Sequence, residues 1–191
     1  MARTTKAQRE ASIQNIFADV GAEYRYKNVS VRLTTRKNFS VKWQRSFDWI
    51  SFDISDFIEY ASAEVIRELA HTLFAHIVTG ERRPYGQEFK DYIMSKDFIA
   101  KMQPRFIKRN SATADDRLND IVAGLDAPEG TVFAVVDNSS LDWIAYSVVF
   151  RAVLVPAYIL IDLDADEVRD IIADELTKLA HAIEHFGEVN E

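Results

Sequence analysis

The chain has 191 residues, a formal net charge of -7, 48% hydrophobic and 28% charged residues, and no cysteine. Disulfides and thiolate metal sites are therefore excluded, and the lack of thiols fits a reducing, cytoplasmic setting. The stretch from Met1 to Glu10 is too polar for a secretory leader and no apolar run is long enough to span a bilayer, so the expectation is a globular protein with no membrane partner.

Thr5 is placed to cap a first helix through about Val20, with Ala11, Ile13, Ile16, Phe17 and Val20 apolar and Gly21 as its stop. Three strands follow. Val29-Ser30-Val31-Arg32-Leu33 alternates, Phe39-Ser40-Val41-Lys42-Trp43 alternates after a polar turn, and Trp49 to Ile54 is the third. Ser55 or Asp56 caps a central helix that runs to about Val78 and stops at Gly80, burying Ile58, Ala61, Val65, Leu69, Leu73 and Ile77. Another helix opens after Pro84 at Tyr85-Gly86-Gln87-Glu88-Phe89, and residues 96–110 read as helical with a break near Pro104. The polar stretch Asn110-Ser111-Ala112-Thr113 is the expected boundary, giving domains 1–110 and 111–191.

The second half repeats the plan: a helix from Asp115 to Leu125, strands at Val132 to Val136, Trp143 to Phe150 and Ala157 to Ile161, and a last helix over Asp166 to Phe186. Leu69-Ala70-His71 beside Leu179-Ala180-His181, and Asp48-Trp49-Ile50 beside Asp142-Trp143-Ile144, favour a duplication, although the two pairs do not share one offset. The alternative is two similar but unrelated α+β segments. Residues 1–110 carry 19 Lys+Arg against 13 Asp+Glu, and residues 111–191 carry 4 against 17. Such halves attract one another or meet different partners.

The chemistry-bearing stretch is Arg67-Glu68-Leu69-Ala70-His71 on the central helix. It has the spacing of H-E-x-x-H, in which imidazoles four residues apart grip one zinc while the Glu activates water. Together with the preceding strands and the following Tyr85-Gly86-Gln87-Glu88-Phe89, it resembles the SprT-like zinc metallopeptidases over roughly residues 25–110. The resemblance implies a zincin-like α+β fold: a helix, a three-stranded sheet and a long motif helix, with the second half a candidate copy. It also implies that Glu68 matches the general base and His71 a zinc ligand, while Arg67 and Tyr85 stand where the first and third ligands belong. An arginine has no lone pair to offer a metal, and Arg67 instead puts a fixed charge where the cation would sit, to pair with Glu68 or another carboxylate or to point into solvent.

Two further groups bear on metals. His181-Ala182-Ile183-Glu184-His185 has the letters of the inverted motif H-x-x-E-H, and its histidines either reach one ion or simply favour a helix C-terminus. Asp162, Asp164 and Asp166 match the start of a calcium loop but lack its glycine and its final glutamate. The expected function is a non-catalytic, metallopeptidase-like scaffold or protein-interaction module, without a cofactor; zinc is the candidate if one is held. One alternative is a metal-dependent hydrolase with unusual ligands drawn from His71, His76, His181 and His185. Another is a nucleic-acid-binding module using the basic 82–109 region with its interleaved Tyr92, Phe98 and Phe106, in keeping with the DNA-directed action of the proteases it resembles.

Overall fold

A computed structural model describes residues 5–137 and 141–186. The chain divides into one unit ending at Ile93 and a second covering Met94–Phe186. Both units are α+β, and each holds a three-stranded mixed sheet.

The first unit opens with α1 (Lys6–Glu23), whose N-terminus is closed by a reciprocal capping box between Thr5 and Gln8. Its buried Ile13, Ile16, Phe17 and Val20 recur at helical spacing. The helix runs past Gly21, the expected stop. The Tyr26 N–H donates to the Gly21 carbonyl and the Arg25 N–H to that of Ala22, with Arg25 at φ 68. That is a Schellman ending with arginine in the left-handed position. Gly21 is a glycine for a different reason: a Cβ there would lie 2.4 Å from Val29 Cγ2 and 3.0 Å from the Phe74 ring.

Strands β1 (Asn28–Thr34), β2 (Val41–Arg45) and β3 (Trp49–Ser55) form a sheet in the order β1-β3-β2, with β1 parallel and β2 antiparallel to β3. The Gln14 side chain donates to the Val29 carbonyl at 2.8 Å and accepts the Val31 N–H at 2.6 Å, tying α1 to the free edge of β1. After a 3-10 turn at Asp56–Ile58 comes α2 (Ala63–Thr79), capped by Ser62 and ended by Gly80 at φ 75. The cap therefore falls later than Ser55 or Asp56, because Ser55 is already committed. Its buried hydroxyl accepts the Ser40 N–H at 2.7 Å and donates to the Asn38 carbonyl at 2.8 Å. Phe17, Phe52 and Phe74 meet at centroid distances of 5.1 to 6.4 Å in the core between sheet and helices. Helix α3 (Gln87–Met94) closes the unit, with only its last residue past the division.

The second unit begins with α4 (Lys96–Arg109), which runs through Pro104. Phe98 and Phe106 of α4 stack on Phe150 at 6.2 and 4.5 Å, and Gln103 reaches the carbonyls of Gly130, Phe150 and Arg151. Hence α4 belongs with the second unit, and the division falls between Ile93 and Met94 rather than at 110–113. Next come α5 (Asp116–Val122) and strands β4 (Val132–Val136), β5 (Ala145–Ser147) and β6 (Ala152–Pro156). The third strand is thus Ala152–Pro156, and the expected strand at 157–161 is helix α6 (Ala157–Asp162). A turn ending at Arg151, φ 47, reverses the chain early. β6 is buried along its whole length, so it lacks the alternation that marks a one-sided strand. The unit ends with α7 (Ala165–Glu184).

Strand order β4-β6-β5, with β4 parallel and β5 antiparallel to β6, repeats the plan of the first unit. Matching the N-caps Ser62 and Asp164 also matches buried Ile66 with Val168, Ala70 with Ile172, Phe74 with Leu176 and Ile77 with Leu179. The sequence matches that first suggested repetition are not equivalent positions: Trp49 lies on β3, while Trp143 precedes β5, the counterpart of β2.

Candidate functional site around Glu68

Glu68 projects from α2 onto the start of α3. The Gly86 carbonyl accepts the Lys90 N–H at 3.1 Å, which makes Gly86 the N-cap of α3. Glycine has no side chain to satisfy the free N–H groups of a first turn. Glu68 supplies the acceptor from the neighbouring helix: its Oε2 accepts the Phe89 N–H at 2.7 Å. The fit depends on position 86, where a Cβ would lie 2.0 Å from Glu68 Cδ and 2.2 Å from Oε1. A carboxylate at this end of the helix is also favoured by the helix dipole. The two motif segments are thus brought together in space, through Glu68.

The positions matching zinc ligands have other surroundings. Arg67 is exposed, and among the described residues it forms no ion pair with Glu68. Its charge acts on Glu64, whose carboxyl is held below its usual range by its own backbone and the Ser62 hydroxyl, with Arg67 adding to them. Tyr85 lies against Phe89 at 4.7 Å between ring centroids, and burial pushes its phenol up, which keeps it neutral. His71 faces the end of α1: its Nε2 lies 3.9 Å from Glu23 Oε2, and the Tyr24 hydroxyl donates to its carbonyl at 3.5 Å. An arginine, a neutral phenol and one imidazole do not fit the three-ligand set of a catalytic zinc.

The other histidines are placed as follows. His76 Nδ1 lies 2.8 Å from the Glu81 carbonyl, so that nitrogen carries the proton and donates. The His181 and His185 rings stand 4.3 Å apart at the end of α7, where His185 is the C-cap. Among the described residues, no group of three or more His, Asp or Glu side chains is arranged to hold a metal ion. Asp164 is the N-cap of α7 in a capping box with Glu167. In the basic 82–109 region, Phe98 and Phe106 are buried against Phe150 and so are not open to stack on bases. No described helix is long and apolar enough to cross a membrane.

One cluster carries no motif in the sequence. Glu59 is 6% exposed, and its carboxylate lies 3.6 Å from Arg9, whose guanidinium sits over the Tyr60 ring at 4.7 Å. These residues border a cleft of about 320 Å³ that also includes Ser12, Ile13 and Ile66. The Tyr92 phenol is pushed well above its ordinary range, by burial first and by the Glu59 charge second. The one available signal was a charge set in the apolar run Phe57-Ile58-Glu59-Tyr60. Comparison of the chain with protein-family models, with curated proteins and with solved structures found no match.

Proposed function

We propose that the chain is a non-catalytic, protein-interacting module built on a degenerate zincin-like plan. The observation that carries this reading is the commitment of Glu68. The residue that matches a general base spends Oε2 on the first turn of α3, 2.7 Å from the Phe89 N–H, and has Oε1 packed against Gly86, where a Cβ would come within 2.2 Å of it. A base that activates water needs a free lone pair directed at that water. The meeting of the Arg67–His71 and Tyr85–Phe89 segments supports the zincin-like part of the reading. The shared connectivity of the two sheets supports an internal duplication.

Elemental analysis of tag-free protein, with zinc calorimetry, tests this. The expected result is no stoichiometric zinc in the parent. Stoichiometric zinc that is lost in His71→Ala, together with zinc-dependent cleavage of an unfolded protein substrate, overturns the reading in favour of a hydrolase with unusual ligands. Arg67→His with Tyr85→His probes the zincin-like part separately. A gain of zinc affinity supports it, and a folded double variant with none removes it.

A further inference from the structure

Strands β2 and β3 are joined by a tight turn at Phe47-Asp48, across which the Ser46 N–H donates to the Trp49 carbonyl at 3.0 Å. Phe47 at its apex is 99% exposed, and Trp43 and Trp49 on the two arms are each 40% exposed. The register puts Trp43 opposite Phe52 on one face of the ribbon. Trp49, adjacent to Ile50, falls on the other face with Ser51 and Asp53. Three large exposed aromatic side chains therefore lie within four residues of the apex of one protruding hairpin.

Cations stand just behind it. The Arg45 guanidinium donates to the Tyr26 hydroxyl at 3.4 Å and lies 5.9 Å from the Trp43 ring. Lys27 is held beside the turn, its N–H donating to the Asp48 carbonyl at 2.9 Å. Arg25 is exposed and occupies the left-handed position that ordinarily falls to glycine. Of the seven Lys or Arg between residues 24 and 49, Arg32 and Arg36 are engaged by Asp53, which leaves Arg25, Lys27, Lys37, Lys42 and Arg45 against the single acidic Asp48 of that stretch, although the whole chain carries -7.

We propose that this hairpin tip docks the protein, tip first, on an anionic lipid bilayer surface. Tryptophan and phenylalanine settle at the boundary between headgroups and acyl chains, and Lys and Arg behind them meet anionic headgroups. A bilayer accepts a protruding apolar point without a complementary pocket, whereas a protein partner needs a matched surface. Nucleic acid is disfavoured by the same geometry, since aromatics on opposite faces make no common platform for successive bases. Contact of this kind needs no spanning segment, and it does not depend on the reading of Glu68.

Co-sedimentation with vesicles tests the proposal, comparing phosphatidylcholine alone with phosphatidylcholine containing about 30% phosphatidylserine. A Trp143→Phe background leaves Trp43 and Trp49 as reporters. The expected result is binding to the anionic vesicles with a blue shift of tryptophan emission. That binding should weaken as salt shortens the Debye length and fall by roughly tenfold in Phe47→Asp, whose melting temperature stays at the parent's. Arg25→Ser with Lys27→Ser should reduce it as well. No binding to anionic vesicles, binding indifferent to Phe47→Asp, or Phe47-dependent binding to a single-stranded oligonucleotide without vesicle binding would each overturn it.

Discussion

The Glu68 carboxylate fills the space that a side chain at Gly86 would need: a Cβ there would come within 2.0 Å of Glu68 Cδ. A cap usually comes from the residue at the helix start, but here it comes from another helix, and the glycine exists to admit it. Gly86→Ala should push Glu68 off the Phe89 N–H and cost about 1–2 kcal/mol, the range of a lost N-cap. Glu68→Ala should cost about the same. Once Glu68 is gone the methyl meets no obstacle, so the double variant should be little worse than either single one. Urea unfolding of the four proteins in the cycle measures this. Simple additivity would show that the two positions act independently.

Arg67 yields a contrasting expectation. It is exposed and has no ion pair with Glu68, so Arg67→Ala should change stability by no more than about 0.5 kcal/mol. A larger loss in thermal or urea unfolding would restore the idea that its charge replaces a structural cation.

Asp53 sits between two guanidiniums, 3.0 Å from Arg32 and 2.9 Å from Arg36. Partial desolvation raises its pKa, but the bonds and charges of the two arginines prevail and hold it below the ordinary value. A depressed carboxyl stabilises the fold fully above the unfolded-state value, about 3.9, and that contribution disappears as pH falls through the folded-state value. Asp53→Asn should therefore flatten the acid limb of the stability–pH curve below about pH 4. The Arg32 side chain is 75% exposed and that of Arg36 22% exposed. Arg36→Ala should then cost about 1–2 kcal/mol and Arg32→Ala less than about 0.5 kcal/mol. Stability measured across acid pH for the three variants checks both the sign and the order.

Arg25 at φ 68 offers a stabilising change. An L-residue in the left-handed region is strained by about 1 kcal/mol relative to glycine, partly offset by glycine's greater unfolded-state entropy. Arg25→Gly should raise stability by up to about 1 kcal/mol while leaving the Schellman bonds to Gly21 and Ala22 intact. A destabilised Arg25→Gly would mean that the guanidinium makes contacts that outweigh the backbone strain.

Much of the scaffold was legible because local physics and tertiary packing agree. Thr5 caps α1, Gly80 ends α2, and Val132–Val136 is a strand as its apolar run implies. The misreadings have particular causes. Gly21 reads as a stop because a glycine demanded by Val29 and Phe74 looks the same in sequence as one demanded by φ. The strand Ala152–Pro156 is hidden in the sequence because a strand buried on both faces carries no alternation, and because Arg151 makes a turn that its residue type rarely makes. At the site, the spacing on α2 drew attention to Glu68, but nothing in Tyr85-Gly86-Gln87-Glu88-Phe89 announced that its partner is a backbone N–H.

The placement of α4 gives the last prediction. Phe150 is 1% exposed because Phe98 and Phe106 cover it, and Gln103 reaches the carbonyls of Gly130, Phe150 and Arg151 from the same helix. A fragment of residues 111–191 loses all of this. It uncovers Phe150 and removes the buried Phe98, Met102 and Phe106, four large side chains whose burial is worth about 1.5–3 kcal/mol each, and it leaves backbone carbonyls without Gln103. Because a whole domain is stable by only about 5–15 kcal/mol, that fragment should fail to melt cooperatively, whereas a fragment of residues 94–191 should. Circular dichroism melts and hydrogen exchange on the two fragments decide the matter. A folded 111–191 fragment would return α4 to the first unit and the boundary to the polar stretch at 110–113.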